Sequence, residues 1–175
     1  MRETASLKIK YFAYGSNMFT ARLRFRVLAC EFVSIARLPK HQLRFHKMSK
    51  DESSKCDAFY TGIESDAIWG VVFDISASEK PQLDKAEGLG AGYNAHSISV
   101  MSPLGKRLEA TTYLADATAI VKDRAPYSWY KECVERGAAE HGLPDDYVVA
   151  AIRATKSVPD PNSQRERDER AKLRN

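Results

Sequence analysis

Apolar positions along this chain fall mainly in short runs and alternations, the pattern of strands, with helical spacing in a few places. Residues 8–14 (Lys-Ile-Lys-Tyr-Phe-Ala-Tyr) are polar at the start and aromatic at the end, as in a strand that enters a core. Residues 31–36, 42–48 and 58–63 are β-like, and 50–55 between them form a polar, mobile loop. Residues 68–73 (Ile-Trp-Gly-Val-Val-Phe) are almost wholly apolar and predict a strand buried on both faces. Residues 93–101 and 108–114 flank a Pro-Leu-Gly-Lys turn at 103–106, a hairpin.

Helices are predicted in fewer places. Residues 19–28 read as a short helix despite alternating Arg and Phe. Ser76 and Glu79 have the spacing of a capping box, opening a helix that carries Leu83 and Ala86 inward and ends at Gly88. Pro126 suits the first turn of a helix running to about residue 140. Residues 143–146 open another, with Tyr147, Val148, Ala151 and Ile152 on one face. Pro159 and Pro161 close the compact part, giving a domain over 8–156 and a charged tail over 157–175. About seven strands joined mostly as hairpins, with two or three helices, predict an α+β fold: a mixed, strongly curved, barrel-like sheet flanked by a few helices.

Composition narrows the classes. A length of 175 residues fits one well-packed domain. Neither a signal-peptide core nor a membrane-length apolar run is expected, and the reading is cytoplasmic with no membrane partner. Cys30, Cys56 and Cys133 are odd in number and widely spaced, which suits reduced thiols and favours neither disulfides nor a zinc site. Residues 164–175 hold five cations against three anions, so half of the net charge of +4 lies there, as a solvated, partly helical tail. Arg22, Arg24 and Arg26 form a local basic cluster with Phe25 alone among them, short of the regular basic–aromatic alternation that stacks on bases, and no nucleic-acid partner is expected.

Candidate chemistry lies in two places. Tyr14-Gly15-Ser16-Asn17 ends the first strand in a turn whose backbone N–H groups could hold an anion. Glu87 ends a helix just before Gly88-Leu89-Gly90-Ala91-Gly92, where a carboxylate is electrostatically disfavoured and, against an apolar pocket, would become a better proton carrier near neutral pH. The motifs of serine hydrolases, phosphate loops, dinucleotide folds and zinc proteases are absent. His41, His46, His96 and His141 have no close ligand spacing, and Cys133 reads as a structural thiol.

Together these segments resemble the gamma-glutamylcyclotransferase family across most of residues 8–152. The resemblance is carried by Tyr14-Gly15-Ser16-Asn17-Met18, Arg37-Leu38 with Leu43 and Phe45, the Trp-Gly-Val-Val strand at 69–72, Leu83-Asp84 through Glu87-Gly88, Tyr93, Tyr113, and Tyr130, Gly137, Gly142-Leu143-Pro144 and Tyr147. It implies an enzyme of glutathione metabolism, a lyase or acyltransferase, that cyclises a γ-glutamyl group to 5-oxoproline. It further implies Glu87 as general acid/base, and Tyr14, Gly15, Ser16, Asn17, Met18, Tyr93 and Tyr130 about a small-molecule γ-glutamyl substrate. No cofactor or metal is implied, and a homodimer is. Two segments depart from the family pattern: the glycine-rich residues 88–92, and 125–129, which replace a more proline- and serine-rich approach to Tyr130. Both are expected beside the leaving group, whose identity stays open. A γ-glutamylamine, a γ-glutamyl-ε-lysine or a natural-product intermediate would use the same glutamyl site, and a non-catalytic binding module on this fold is the reading from another class.

Overall fold

The structure, a computed structural model, describes residues 7–174; the N-terminal end of the segment tested for a signal peptide lies outside them. These residues form seven strands, β1 (Lys8–Ala13), β2 (Cys30–Pro39), β3 (His41–Met48), β4 (Ser54–Tyr60), β5 (Ala67–Ser76), β6 (Tyr93–Met101) and β7 (Arg107–Ala115). Five close into a barrel in the order β1-β5-β2-β6-β7, while β3 and β4 make a separate two-stranded sheet. The barrel is mixed: its closing pair, β1 with β7, is parallel at Tyr11↔Thr111, and the remaining pairs are antiparallel. The expected α+β, barrel-like architecture is the one observed.

The central strand explains why the barrel closes. In β5, Ile68, Val71, Val72, Phe73 and Ile75 are buried, and the strand pairs with β1 on one edge and β2 on the other. A strand with apolar side chains on both faces can sit only inside such a structure. Register shifts in β2 between Phe32 and Ser34, a bulge of the kind that bends a strand.

Among the described residues, five α-helices decorate the barrel: α1 (Thr20–Arg24), α2 (Lys80–Glu87), α3 (Ser128–Glu140), α4 (Asp145–Tyr147), which runs into a π-helical turn over Val148–Arg153, and α5 (Ser163–Lys172). Helix α2 ends as its sequence predicts. Gly88 takes the left-handed conformation at φ 69° and ψ 47°, and the Leu89 N–H reaches back to the Asp84 carbonyl at 2.9 Å. Helix α3 crosses the turn after β1 at Gly137, where a Cβ would stand 2.4 Å from the Phe19 nitrogen.

Several expectations fail locally. Ser76 and Glu79 make no capping box: the Glu79 carboxylate instead accepts from the N–H groups of Leu28 and Ala29, at 2.6 and 3.1 Å. Ala86 is exposed, so Leu83 alone of that pair enters the core. Helix α3 begins after Pro126, whose carbonyl accepts from Val158.

The polar stretch at 50–55 is held rather than loose. Asp51 accepts from Ser53 N, Ser53 Oγ and Lys55 Nζ at 2.7–3.0 Å, and β4 starts at Ser54, earlier than expected. Polar residues can occupy that strand because they satisfy one another.

The charged tail also differs from a solvated one. Asp160 accepts from Trp129 Nε1 at 2.9 Å and pairs with Arg165, Glu169 pairs with Arg22 at 2.8 Å, and Leu173 is buried.

Candidate active site

Where β1 leaves the barrel, Tyr14 and Gly15 lead into a 3-10 turn over Ser16–Met18. Position 15 is tight: a Cβ there would lie 3.1 Å from Cys56 Cβ and 3.3 Å from the Tyr130 hydroxyl, so those neighbours would have to give by a few tenths of an ångström. The N–H groups of Ser16 and Asn17 open the turn and so have no intrahelical acceptor. Of the loop residues, Tyr14, Gly15, Ser16 and Asn17 line a narrow cavity of about 30 Å³, whereas Met18 is fully buried against Gly137.

Glu87 enters the same cavity from the C-terminal end of α2. Two contacts fix that end of the helix: Leu83 is buried, and Asp84 accepts from the Tyr113 hydroxyl of β7 at 2.5 Å. Glu87 Oε1 accepts from Asn17 Nδ2 at 2.6 Å and from Arg26 Nη1 at 2.5 Å. Among the described residues, none hydrogen-bonds Oε2. The carboxylate therefore faces an amide and a guanidinium rather than the apolar wall that the sequence left open. Asn17 Nδ2 also reaches the Tyr11 hydroxyl at 3.0 Å, while its buried Oδ1 has no partner among the described residues.

The tyrosines are brought together and committed to the backbone. Tyr14 donates to the Tyr113 carbonyl and Tyr93 to the Cys56 carbonyl, and Tyr130 accepts from Cys56 N at 3.0 Å. Burial raises the hydroxyls of Tyr14, Tyr93 and Tyr130 well above the ordinary tyrosine range, so they stay protonated. Burial likewise pushes the Cys56 thiol up to about 12, which removes it as a nucleophile at neutral pH.

The narrow cavity adjoins an outer groove of about 230 Å³, and the two share Ser16, Glu87, Tyr93 and Tyr130. Arg22, Arg26, Lys47 and Lys55 make the groove strongly cationic, against Asp51 and Glu87. Sequence reasoning passed over most of these. In sequence, Arg22 and Arg26 stand only as part of a basic cluster; both follow the loop closely, and they reach the groove from α1 and from the turn after it. Tyr11, Cys56 and Lys47 carry no local signal, because strands β1, β4 and β3 bring them in. Among the described residues no group of three or more His, Cys, Asp or Glu side chains could hold a metal.

Comparison with known proteins gives this geometry a context. Gamma-glutamylcyclotransferase from Bos taurus is 35% identical over 141 residues, spanning 78% of this chain and 73% of the bovine protein. This chain belongs to the gamma-glutamylcyclotransferase family. The human gamma-glutamylcyclotransferase is 31% identical over 144 residues, with the same shares of each chain. The model of the AIG2-like family matches residues 67–150. Among solved structures, a gamma-glutamyl cyclotransferase superposes with a TM-score of 0.82 at 26% identity, over 94% of this chain and 99% of that one. A crystal structure of an uncharacterized human protein gives 0.80 at 27% identity, over 93% and 98%. Among the described residues, no helix is long and apolar enough to cross a membrane.

Proposed function

We propose that this chain converts a γ-glutamyl amino acid or amide to 5-oxoproline and the free amino acid or amine, with Glu87 as the general acid/base. The observation that carries the reading is the 2.6 Å hydrogen bond between Asn17 and Glu87. It joins the loop suited to the glutamyl end of a substrate to Glu87, the one carboxylate that lines the cavity among the described residues.

The chemistry asks little of the protein beyond placement. The substrate's α-amine attacks its own γ-carbonyl carbon, so a ring C–N bond forms while the amide C–N bond breaks. Holding that chain coiled converts a slow encounter into an oriented unimolecular step. The α-ammonium must lose a proton, and the departing nitrogen must gain one. A single carboxylate can take the first and deliver the second, ending as it began. Glu87 has Oε2 available for this, with Oε1 anchored by Arg26 and Asn17. Asn17 Oδ1, a buried acceptor without a donor, suits the α-ammonium. The N–H groups of Ser16 and Asn17 suit the glutamyl carboxylate or the developing oxyanion. The protonated thiol of Cys56 fits a reaction whose nucleophile belongs to the substrate.

The test is incubation with a panel of γ-glutamyl compounds, assayed for 5-oxoproline. Glu87→Gln should fold with the same circular dichroism spectrum and lose about a hundredfold or more in rate. Near-full 5-oxoproline production by that variant would remove Glu87 from the mechanism.

A further inference from the structure

The glycine-rich segment after Glu87, one of the departures from the family pattern, has a structural counterpart in the outer groove. Gly92 lies against Lys47 of β3: a Cβ on that glycine would stand 2.8 Å from Lys47 Cε and 3.1 Å from its Nζ. The glycine thus leaves room for a lysine that is only 8% exposed. The Lys47 ammonium lies 4.6 Å from the centroid of the Tyr93 ring, and both residues line the groove beside Glu87.

Its electrostatic situation differs from that of its neighbours. Three other cations line the groove, and each has a carboxylate: Arg22 pairs with Glu169, Arg26 with Glu87 and Lys55 with Asp51. Among the described residues Lys47 has no carboxylate within 4 Å. A buried ammonium that rests on an aromatic face, with Glu87 and Asp51 pulling on it only from beyond ion-pair distance, has given up water for weak compensation. Such a group is suited to receive an anion from outside the protein.

Resting on the cyclotransferase reading, we infer that Lys47 is a specificity-determining residue that binds the carboxylate of the leaving group, so that γ-glutamyl amino acids are selected over γ-glutamylamines. The scissile bond lies at Glu87, and the departing half extends into the groove that Lys47 lines. An amino-acid leaving group carries its carboxylate on the carbon attached to the departing nitrogen, and an amine carries none. Burial holds the Lys47 ammonium below the ordinary lysine range, and a bound carboxylate would offset that cost.

The test compares two probes that differ only in this carboxylate, γ-glutamyl-alanine and γ-glutamyl-ethylamine, with the full chain. The wild type should favour γ-glutamyl-alanine about tenfold or more in kcat/KM, chiefly through KM, the size expected for a charge-assisted hydrogen bond. Lys47→Met should reduce that preference to about twofold or less, and Lys47→Arg should retain part of it. Should the methionine variant lose cooperative melting, the same ratio measured with Lys47→Gln decides. Equal use of both probes by the wild type, or an unchanged ratio in the uncharged variant, would overturn the assignment while leaving the cyclotransferase reading intact. No 5-oxoproline from either probe would overturn both.

Discussion

Arg26 is the residue on which the position of Glu87 turns. Its guanidinium and the Asn17 amide both contact Oε1, and the Arg26 and Glu87 side chains are 21% and 15% exposed. A charge-assisted hydrogen bond at this depth orients a carboxylate more firmly than a surface pair does. In the proposed reaction Arg26 acts through Glu87, as a positioning residue. Arg26→Met should therefore lower kcat about tenfold with a smaller change in KM, and Arg26→Lys should recover part of the loss. Steady-state kinetics on γ-glutamyl-alanine separates the two parameters, and a pure KM effect would place Arg26 with substrate binding instead. At this scale Glu87 and Asn17 were legible, each in a local pattern of helix end or strand end. Arg26 was visible only as a charge, because nothing nearby in sequence names its partner 61 residues away.

At the scale of elements, the loop after β1 is held in place by α3. Gly137 sits in the middle of that helix, where alanine would ordinarily stabilise by about 1 kcal/mol. Here a Cβ would stand 2.4 Å from Phe19 N and 2.6 Å from both the carbonyl carbon and the Cβ of Met18. Close approach outweighs propensity, because backbone atoms cannot swing aside as a long side chain can. Gly137→Ala should destabilise by about 1–3 kcal/mol, seen as a Tm lower by several degrees in a thermal melt. An unchanged or higher Tm would show that helix and turn can separate without loss.

Element types were largely readable from sequence, as for β5, β6, β7 and the end of α2. Boundaries failed where polar residues found partners that the hydrophobic pattern does not name, some distant and some a few residues away. Glu79 caps the chain at Leu28 and Ala29, and Ser53 and Lys55 are satisfied by Asp51.

For the whole molecule, the same buried polar network sets a dependence on pH. Burial alone would raise the carboxyl of Asp51, but hydrogen bonds from Lys55 and Ser53 outweigh it and bring it down to about 2, from an unfolded value of 3.8. Its partner moves for a different reason, since burial outweighs the pull of Asp51 and holds the Lys55 ammonium below the ordinary lysine range. Only Asp51 of the two titrates in acid. Because its folded value is the lower one, its stabilisation is present above about pH 4 and is lost as pH falls toward 2. Asp51→Asn should therefore lower stability at neutral pH and flatten the decline between pH 4 and 2, as followed by urea unfolding. The tail adds to the same theme. With no apolar stripe, α5 gives no sign in sequence of docking, yet Asp160, Glu169 and Leu173 tie this region to α3 and α1.

The sequence by itself determined the elements that depend on near neighbours: the all-apolar strand at the centre, the left-handed glycine that ends α2, and the Gly-Ser-Asn turn. Through the order of its motifs it also pointed to the family. Tertiary structure decided which groups meet. Barrel closure brings Asn17 to Glu87 across 70 positions, β3 carries Lys47 under Gly92, and Arg26 turns back onto the carboxylate. Hydrogen bonds within a turn follow from adjacent residues, whereas these contacts exist only once strands far apart in the chain have paired and excluded water around them.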